Sequence, residues 1–180
     1  MKINYLLIGL LFISIIGNAQ DAGFSKKSMK ANFSMEVLNA YQESSFAKVN
    51  DFYEYAQLLA NPATANALKK EIKTAVFSLF NEREVSVINL LSKEKENIAL
   101  TAFLHQLEKE KDIQFNIKPN NGKVLFFNDY WVNHYYLEIK RNKQITIIEI
   151  KQKVYFSEQL KSFGANQKEV WSVYLGEMIN

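Results

Sequence analysis

The stretch DYWVNHYYLEIK, residues 129–140, decides the fold of this chain, because its side chains alternate between two classes. Successive residues of a β-strand point to opposite faces of a sheet. The odd positions are mainly apolar and predict the face that packs on the rest of the protein: Asp129, Trp131, Asn133, Tyr135, Leu137 and Ile139. The even positions predict the outer face: Tyr130, Val132, His134, Tyr136, Glu138 and Lys140. The stretch is therefore predicted to be a strand with one buried face.

The next predicted strand has the same contrast with the opposite parity. Its inward positions are even: Ile148, Ile150, Gln152, Val154 and Phe156. Paired positions of the hairpin must then sum to an odd number, which leaves either Arg141-Asn142 or Asn142-Lys143 at the tip. Asn tolerates the positive φ of the first tip position in a type I′ turn better than Arg does. We therefore predict Asn142-Lys143 at the tip, with Asn133 opposite Gln152.

Helices are predicted before these strands. Apolar residues recur at steps of three and four over residues 35–59, interrupted by Ser44 and Ser45, and this stripe fits one helix or two. Pro62 suits the first turn of a second helix, and a third helix is predicted over residues 100–110. Strands are predicted over residues 85–91, 113–117, 123–127, 130–140, 144–156 and 170–178.

Helices followed by an antiparallel meander predict an α+β protein, with N-terminal helices packed on a curved antiparallel β-sheet. Over residues 45–178 the order of elements resembles the nuclear transport factor 2-like superfamily, the cystatin-like α+β rolls, with Asn128-Asp129-Tyr130-Trp131 entering the long strand. The resemblance implies a cone-shaped roll. It also implies a possible enzyme, since these rolls include isomerases and dehydratases that use an inward Asp, His or Tyr as acid or base.

The first 19 residues have the features of a secretory signal peptide. Lys2 precedes an apolar run over residues 5–16, and Gly17-Asn18-Ala19 follows as a small-x-small cleavage pattern. The run is shorter than the roughly 20 residues that cross a bilayer. We therefore predict cleavage after Ala19 and export to the periplasm or the medium, with no membrane span left. Residues 20–33 are predicted to be a flexible leader and residues 34–180 a single α+β roll domain.

Composition argues against several function classes. The chain has no cysteine, which excludes thiolate metal sites and cysteine redox chemistry. Its formal charge is only +3, and the scarcity of arginine, with Arg83 and Arg141 alone, argues against nucleic-acid binding. His105 and His134 are isolated and do not make a metal site, and no glycine-rich nucleotide loop is present. We therefore expect no metal, no cofactor and no nucleic-acid partner.

Polar side chains on the predicted inner face permit two interpretations. Apolar walls with a few orienting polar groups are what a small apolar ligand requires. The candidate ligand-binding residues are Asp129, Trp131, Asn133, Tyr135 and Gln152. The favoured alternative is a filled core in which these groups bond to one another or to the backbone.

The outer face offers a candidate protein interface, because aromatic residues are enriched at such surfaces and homodimers are the commonest oligomers. Its residues are Tyr130, Val132, His134 and Tyr136. The sequence thus predicts an exported, non-enzymatic module that binds a small apolar ligand or a protein partner, including a second copy of itself. The competing hypothesis is an isomerase- or dehydratase-type enzyme with Asp129 as acid or base, and with Asn133 and Tyr135 as hydrogen-bond donors. An exposed Asp129 would favour the binding module.

Overall fold

The computed structural model describes residues 33–120, 124, 126–164 and 166–179. The elements of this part of the chain are α1 (Met35–Ala60), α2 (Asn66–Leu79), β1 (Ser86–Ile88), β2 (Asn97–Ala99), α3 (Leu100–Leu107), β3 (Ile113–Pro119), β4 (Tyr130–Arg141), β5 (Gln144–Phe163) and β6 (Asn166–Ile179). Helices precede a large antiparallel sheet, so the predicted α+β class is confirmed. The predicted signal peptide and the leader as far as Asn32 lie outside the described residues.

Helix α1 is one continuous helix of 26 residues, which decides between the two alternatives for its apolar stripe. The Ser34 hydroxyl caps its first turn by accepting a hydrogen bond from the Val37 amide at 3.4 Å. The helix ends before Asn61, because a residue that precedes proline avoids the helical conformation. Pro62 does not start α2 as predicted. Asn61 instead forms a turn by accepting from the Ala63 amide at 2.9 Å, and α2 begins at Asn66.

The four strands of the large sheet lie in the order β3-β4-β5-β6 and curl into a half-barrel, consistent with a cone-like roll. The odd positions of β4 from Trp131 to Ile139 are at most 4% exposed, which confirms the predicted inner face. Ile150, Gln152 and Val154 of β5 are completely buried on the same side. The core lies between this face and the helices, with α1 packed across it.

The β4–β5 hairpin has the predicted register. Arg141 pairs with Gln144, so that Asn142 and Lys143 alone form the tip, and Asn133 lies opposite Gln152. The two tip residues have φ angles of 50° and 65°. Positive φ at both positions is the geometry of a type I′ turn, which matches the twist of the flanking strands.

The predicted end of β5, at residue 156, and the predicted start of β6, at residue 170, were wrong. The two strands continue to Phe163 and back from Asn166, with Gly164 at φ 63° in the turn. Strand β4 begins opposite Tyr155, so residues 157–163 and 166–172 pair only with each other among the strands and project as a two-stranded ribbon. Most of the ribbon is exposed on both faces, and therefore its sequence lacks the alternation that reveals half-buried strands.

Smaller differences concern short elements. Helix α3 ends at Leu107 instead of Glu110, and β2 was not predicted. The strand predicted over residues 123–127 falls partly outside the described residues, and there Phe126 forms an isolated bridge with Trp131. Short strands carry too few residues for a periodic pattern to separate them from loops.

Candidate functional site

Asn133 is fully buried at the centre of the sheet and uses both ends of its amide. Its Nδ2 donates to Ser45 Oγ of α1 at 2.8 Å. Its Oδ1 accepts from Trp131 Nε1 at 3.0 Å. Ser45 in turn donates to the Gln42 carbonyl at 2.6 Å. This chain of bonds fixes the middle of α1 against β4.

A second buried chain runs through Tyr135. Its hydroxyl donates to Gln152 Oε1 at 2.9 Å, and the Tyr53 hydroxyl of α1 lies 3.1 Å away and donates to it. Gln152 Nε2 donates to the Gly176 carbonyl of β6 at 3.4 Å. Burial raises the pKa of both phenols above the ordinary range, more than their mutual hydrogen bond offsets for Tyr53. Both tyrosines therefore remain protonated at physiological pH and act as neutral hydrogen-bond donors.

The two chains have the arrangement of a filled core. Trp131, Asn133, Tyr135 and Gln152 are all 0% exposed. Among the described residues, every buried side-chain nitrogen and oxygen has a hydrogen-bond partner. The structure thus brings four of the five candidate ligand-binding residues together, but their polar atoms are directed at protein groups. The amides of Asn133 and Gln152 face each other in register and bond to different partners.

Asp129 lies apart from these four residues. Strand β4 begins at Tyr130, so the alternation of faces does not extend back to Asp129, which is half-buried. Its carbonyl accepts from the Phe156 amide at 2.9 Å. The carboxylate lies near Lys153, whose pKa is raised mainly by its bond to Glu177 and further by Asp129. The three residues of the enzyme hypothesis, Asp129, Asn133 and Tyr135, are therefore not brought together.

The candidate interface residues lie on the outer face of the sheet, where Tyr130 belongs to a local cluster. Its ring stacks on Phe127 with 4.5 Å between centroids, and the Lys153 ammonium lies 5.2 Å from its centre. Glu177 holds this cluster by accepting from Lys153 at 2.5 Å and from Tyr155 at 2.9 Å. The Tyr130 ring is thus half-buried by its neighbours.

An exposed apolar group lies further along the same face. It consists of Tyr136, Ile145 and Ile147, which are 41%, 61% and 57% exposed, and we call it the outer patch. Two pairs of polar side chains border it: His134 hydrogen-bonds to Glu149, and Lys118 forms an ion pair with Glu138 at 2.6 Å. The two isoleucines were missed as site residues. Their odd numbers could have revealed them, because the odd positions of β5, such as Glu149 and Lys151, lie on the outer face and the buried positions are even.

Comparisons of the chain with protein-family models, with curated proteins and with solved structures found no match. Within the described ranges, no helix is long and apolar enough to cross a membrane. In the same part of the chain, no three His, Cys, Asp or Glu side chains are grouped so that they could hold a metal ion.

Proposed function

We propose that this protein is a binding module that associates with a second copy of itself through the outer face of its sheet, and that it acts outside the cytoplasm. The outer patch carries the proposal. Isoleucine side chains more than half exposed on the solvent face of an antiparallel sheet are unusual, because that face is normally polar. Exposed apolar groups rimmed by polar residues mark interaction surfaces.

The charges around the outer patch suit a second copy. Each sign is present on both strands: Glu138 and Lys140 lie on β4, and Glu149 and Lys151 lie on β5. A two-fold axis brings the same surface of both subunits together, so such a surface must complement itself. A face with balanced and alternating charges does so, whereas a face with one sign would repel its own copy.

The size of the face can be compared with that of known interfaces. Twelve paired positions of β4 and β5 extend for about 40 Å. Strand β3 pairs only with residues 135–141 and β6 pairs with β5 only from Lys151 onward, so three strands lie side by side at each level. Their width of about 14 Å gives roughly 560 Å². A standard interface buries about 800 Å² on each partner. The outer face is therefore close to the lower end of the standard range, which is about 600 Å² on each partner.

The interior of the roll supports the other hypotheses less well. Its polar groups are fully buried and bonded to one another, which leaves a small apolar ligand no oriented partner there. The proposed catalytic Asp129 is half-buried at the start of β4, away from Asn133 and Tyr135. These hydrogen-bonded groups hold α1 on the sheet, which is the role of a structural core.

The test is the oligomeric state of the purified protein, measured by sedimentation equilibrium from roughly 1 to 100 µM. We expect a dimer in this range. Ile147→Lys should raise its dissociation constant by roughly 30-fold or more, because it removes a central apolar contact and opposes two like charges.

The matched control is Leu68→Lys on α2, at a residue that is 47% exposed and far from the outer patch. It should leave the dissociation constant unchanged. A wild-type protein that stays monomeric over the whole range would overturn the proposal, as would equal weakening by the two variants.

A further inference from the structure

A cleft of about 330 Å³ opens between the loop after β1 and the end of the β4–β5 hairpin. It is independent of the outer patch, since the residues of the hairpin that line it include Ile139 and Thr146, a pair on the inner side of the sheet. Small-ligand sites have volumes from about 300 Å³ upward. The cleft is therefore large enough for a small molecule.

The lining of the cleft is basic. Among the described residues that line it, three are cations, namely Lys93, Lys95 and Arg141, and none is acidic. The lining also includes neutral side chains that can donate hydrogen bonds: Asn142, Gln144 and Thr146. Cations together with neutral donors in the lining form a surface complementary to an anion, although Glu110 contacts Arg141 and Glu94 contacts Ser92 from outside the lining.

Two of these cations are held close to each other by the backbone. Lys95 Nζ donates to the Leu90 carbonyl at 2.8 Å, and Arg141 Nη1 donates to the next carbonyl, of Leu91, at 3.0 Å. Glu110 pairs with Arg141 through two bonds of 2.9 and 2.6 Å and neutralises its charge in part. Lys95 has no carboxylate within ion-pair distance among the described residues, so two N–H groups of its ammonium remain to donate to a ligand.

The environment of Lys95 is already unfavourable for a cation. Burial lowers the pKa of this ammonium, and the neighbouring Arg141 guanidinium lowers it further, against the opposite effect of Glu96. Its backbone has a φ of 55°, a left-handed conformation that is sterically unfavourable for a non-glycine residue. A bound anion would relieve the repulsion between the two cations.

The geometry points to a binding site for a small ligand that carries an oxyanion group, a phosphate or a carboxylate, held by Lys95, Arg141 and Lys93. Thr146 supplies a neutral hydrogen bond at its margin, whereas the Ser92 hydroxyl already donates to Glu94 at 2.9 Å. Such a ligand would enter between the loop and the hairpin without disturbing the filled core or the outer face.

The experiment is an NMR titration of the backbone amides of the purified protein with inorganic phosphate and, separately, with acetate. Sodium chloride at equal ionic strength is the reference for charge screening. We expect saturable shifts at Ser92, Lys95 and Thr146, with half-saturation at roughly millimolar concentration. Saturation by phosphate alone would identify a phosphate group as the ligand chemistry, and saturation by acetate alone or by both would identify a carboxylate or a general oxyanion.

Two glycine variants distinguish binding at this site from nonspecific effects of removing a positive charge. Lys95→Gly should raise the half-saturating concentration at least tenfold, and it should fold, because glycine suits a positive φ. Lys143→Gly is the matched control, since it removes a lysine at φ 65° that lies at the hairpin tip outside the cleft lining. It should titrate like the wild type. Shifts that fail to saturate, that equal those with chloride, or that survive Lys95→Gly unchanged would overturn the proposal.

Discussion

The hydroxyl of Tyr135 is the central atom of the buried chain that connects α1 to β5. It accepts a hydrogen bond from Tyr53 and donates one to Gln152, and all three side chains are at most 2% exposed. A buried polar group that loses its partner costs about 1 to 3 kcal/mol, because it has no water to replace that partner. Loss of the Tyr135 hydroxyl therefore leaves two buried groups without a partner, whereas loss of the Tyr53 hydroxyl leaves one.

We expect Tyr135→Phe to lower the free energy of unfolding by about 2 to 3 kcal/mol, because it leaves both Tyr53 and Gln152 without a partner. Tyr53→Phe removes a terminal donor and should cost about 1 kcal/mol. The double variant should be no less stable than Tyr135→Phe alone. Urea denaturation of the four proteins checks this order, and simple additivity of the two changes would contradict it.

Single residues of this network were predictable on the sheet and not on the helix. Alternation along β4 and β5 placed Asn133 and Gln152 inward, since a strand has only two faces. Ser45 was interpreted as an interruption of the apolar stripe of α1, yet it is fully buried as the partner of Asn133. A polar residue that keeps the spacing of an apolar stripe is itself the signal of a buried polar partner. Which strand supplies that partner depends on tertiary packing, which the sequence pattern does not contain.

Among the elements, the β4–β5 hairpin shows how a turn sets a register. Asn142 and Lys143 both have positive φ, and only the first belongs to a residue type that tolerates it well. The tip could be predicted because parity left two choices and turn chemistry decided between them. The ribbon of residues 157–163 and 166–172 could not be predicted, because it is largely solvent-exposed and its side chains therefore carry no burial pattern.

Lys143→Gly should stabilise the protein by about 0.5 to 1 kcal/mol, since glycine adopts the left-handed conformation without the steric cost that lysine pays. The measurement is the shift of the urea midpoint at an unchanged slope. Lys140→Gly serves as the comparison, because Lys140 is an exposed residue of the same hairpin with extended strand geometry. That variant should be destabilised by about 0.5 to 1 kcal/mol. Midpoints that move in the same direction for both variants would contradict the assigned turn.

At the scale of the whole molecule, the buried phenols make the free energy of unfolding decrease at alkaline pH. Their pKa values are raised in the folded state by burial, so above the ordinary value of about 10 the unfolded chain loses protons that the folded chain retains. Stability from this source is complete below pH 10 and is lost as the pH rises. Tyr155 contributes in the same direction, because burial and its hydrogen bond to Glu177 raise its pKa to about 12.

The free energy of unfolding should therefore fall above pH 10 by up to about 1.4 kcal/mol per pH unit for each buried tyrosine. The double variant Tyr53→Phe/Tyr135→Phe should show a shallower decline, measured by urea denaturation at a series of pH values. Equal slopes in the wild type and the double variant would show that the two phenols do not control the alkaline transition.

Helix α1 also determines when the fold can close. It is the first described element of the chain, and it packs on β6, the last one, as well as on β3. Its buried residues meet side chains of β6 such as Leu175 and Met178 in one core. Since a chain is synthesised from its N-terminus, the apolar stripe of α1 emerges long before the strand that completes its cover. Closure of this roll therefore has to wait for the synthesis of β6, and until then the apolar stripe of α1 lacks the cover that this strand provides.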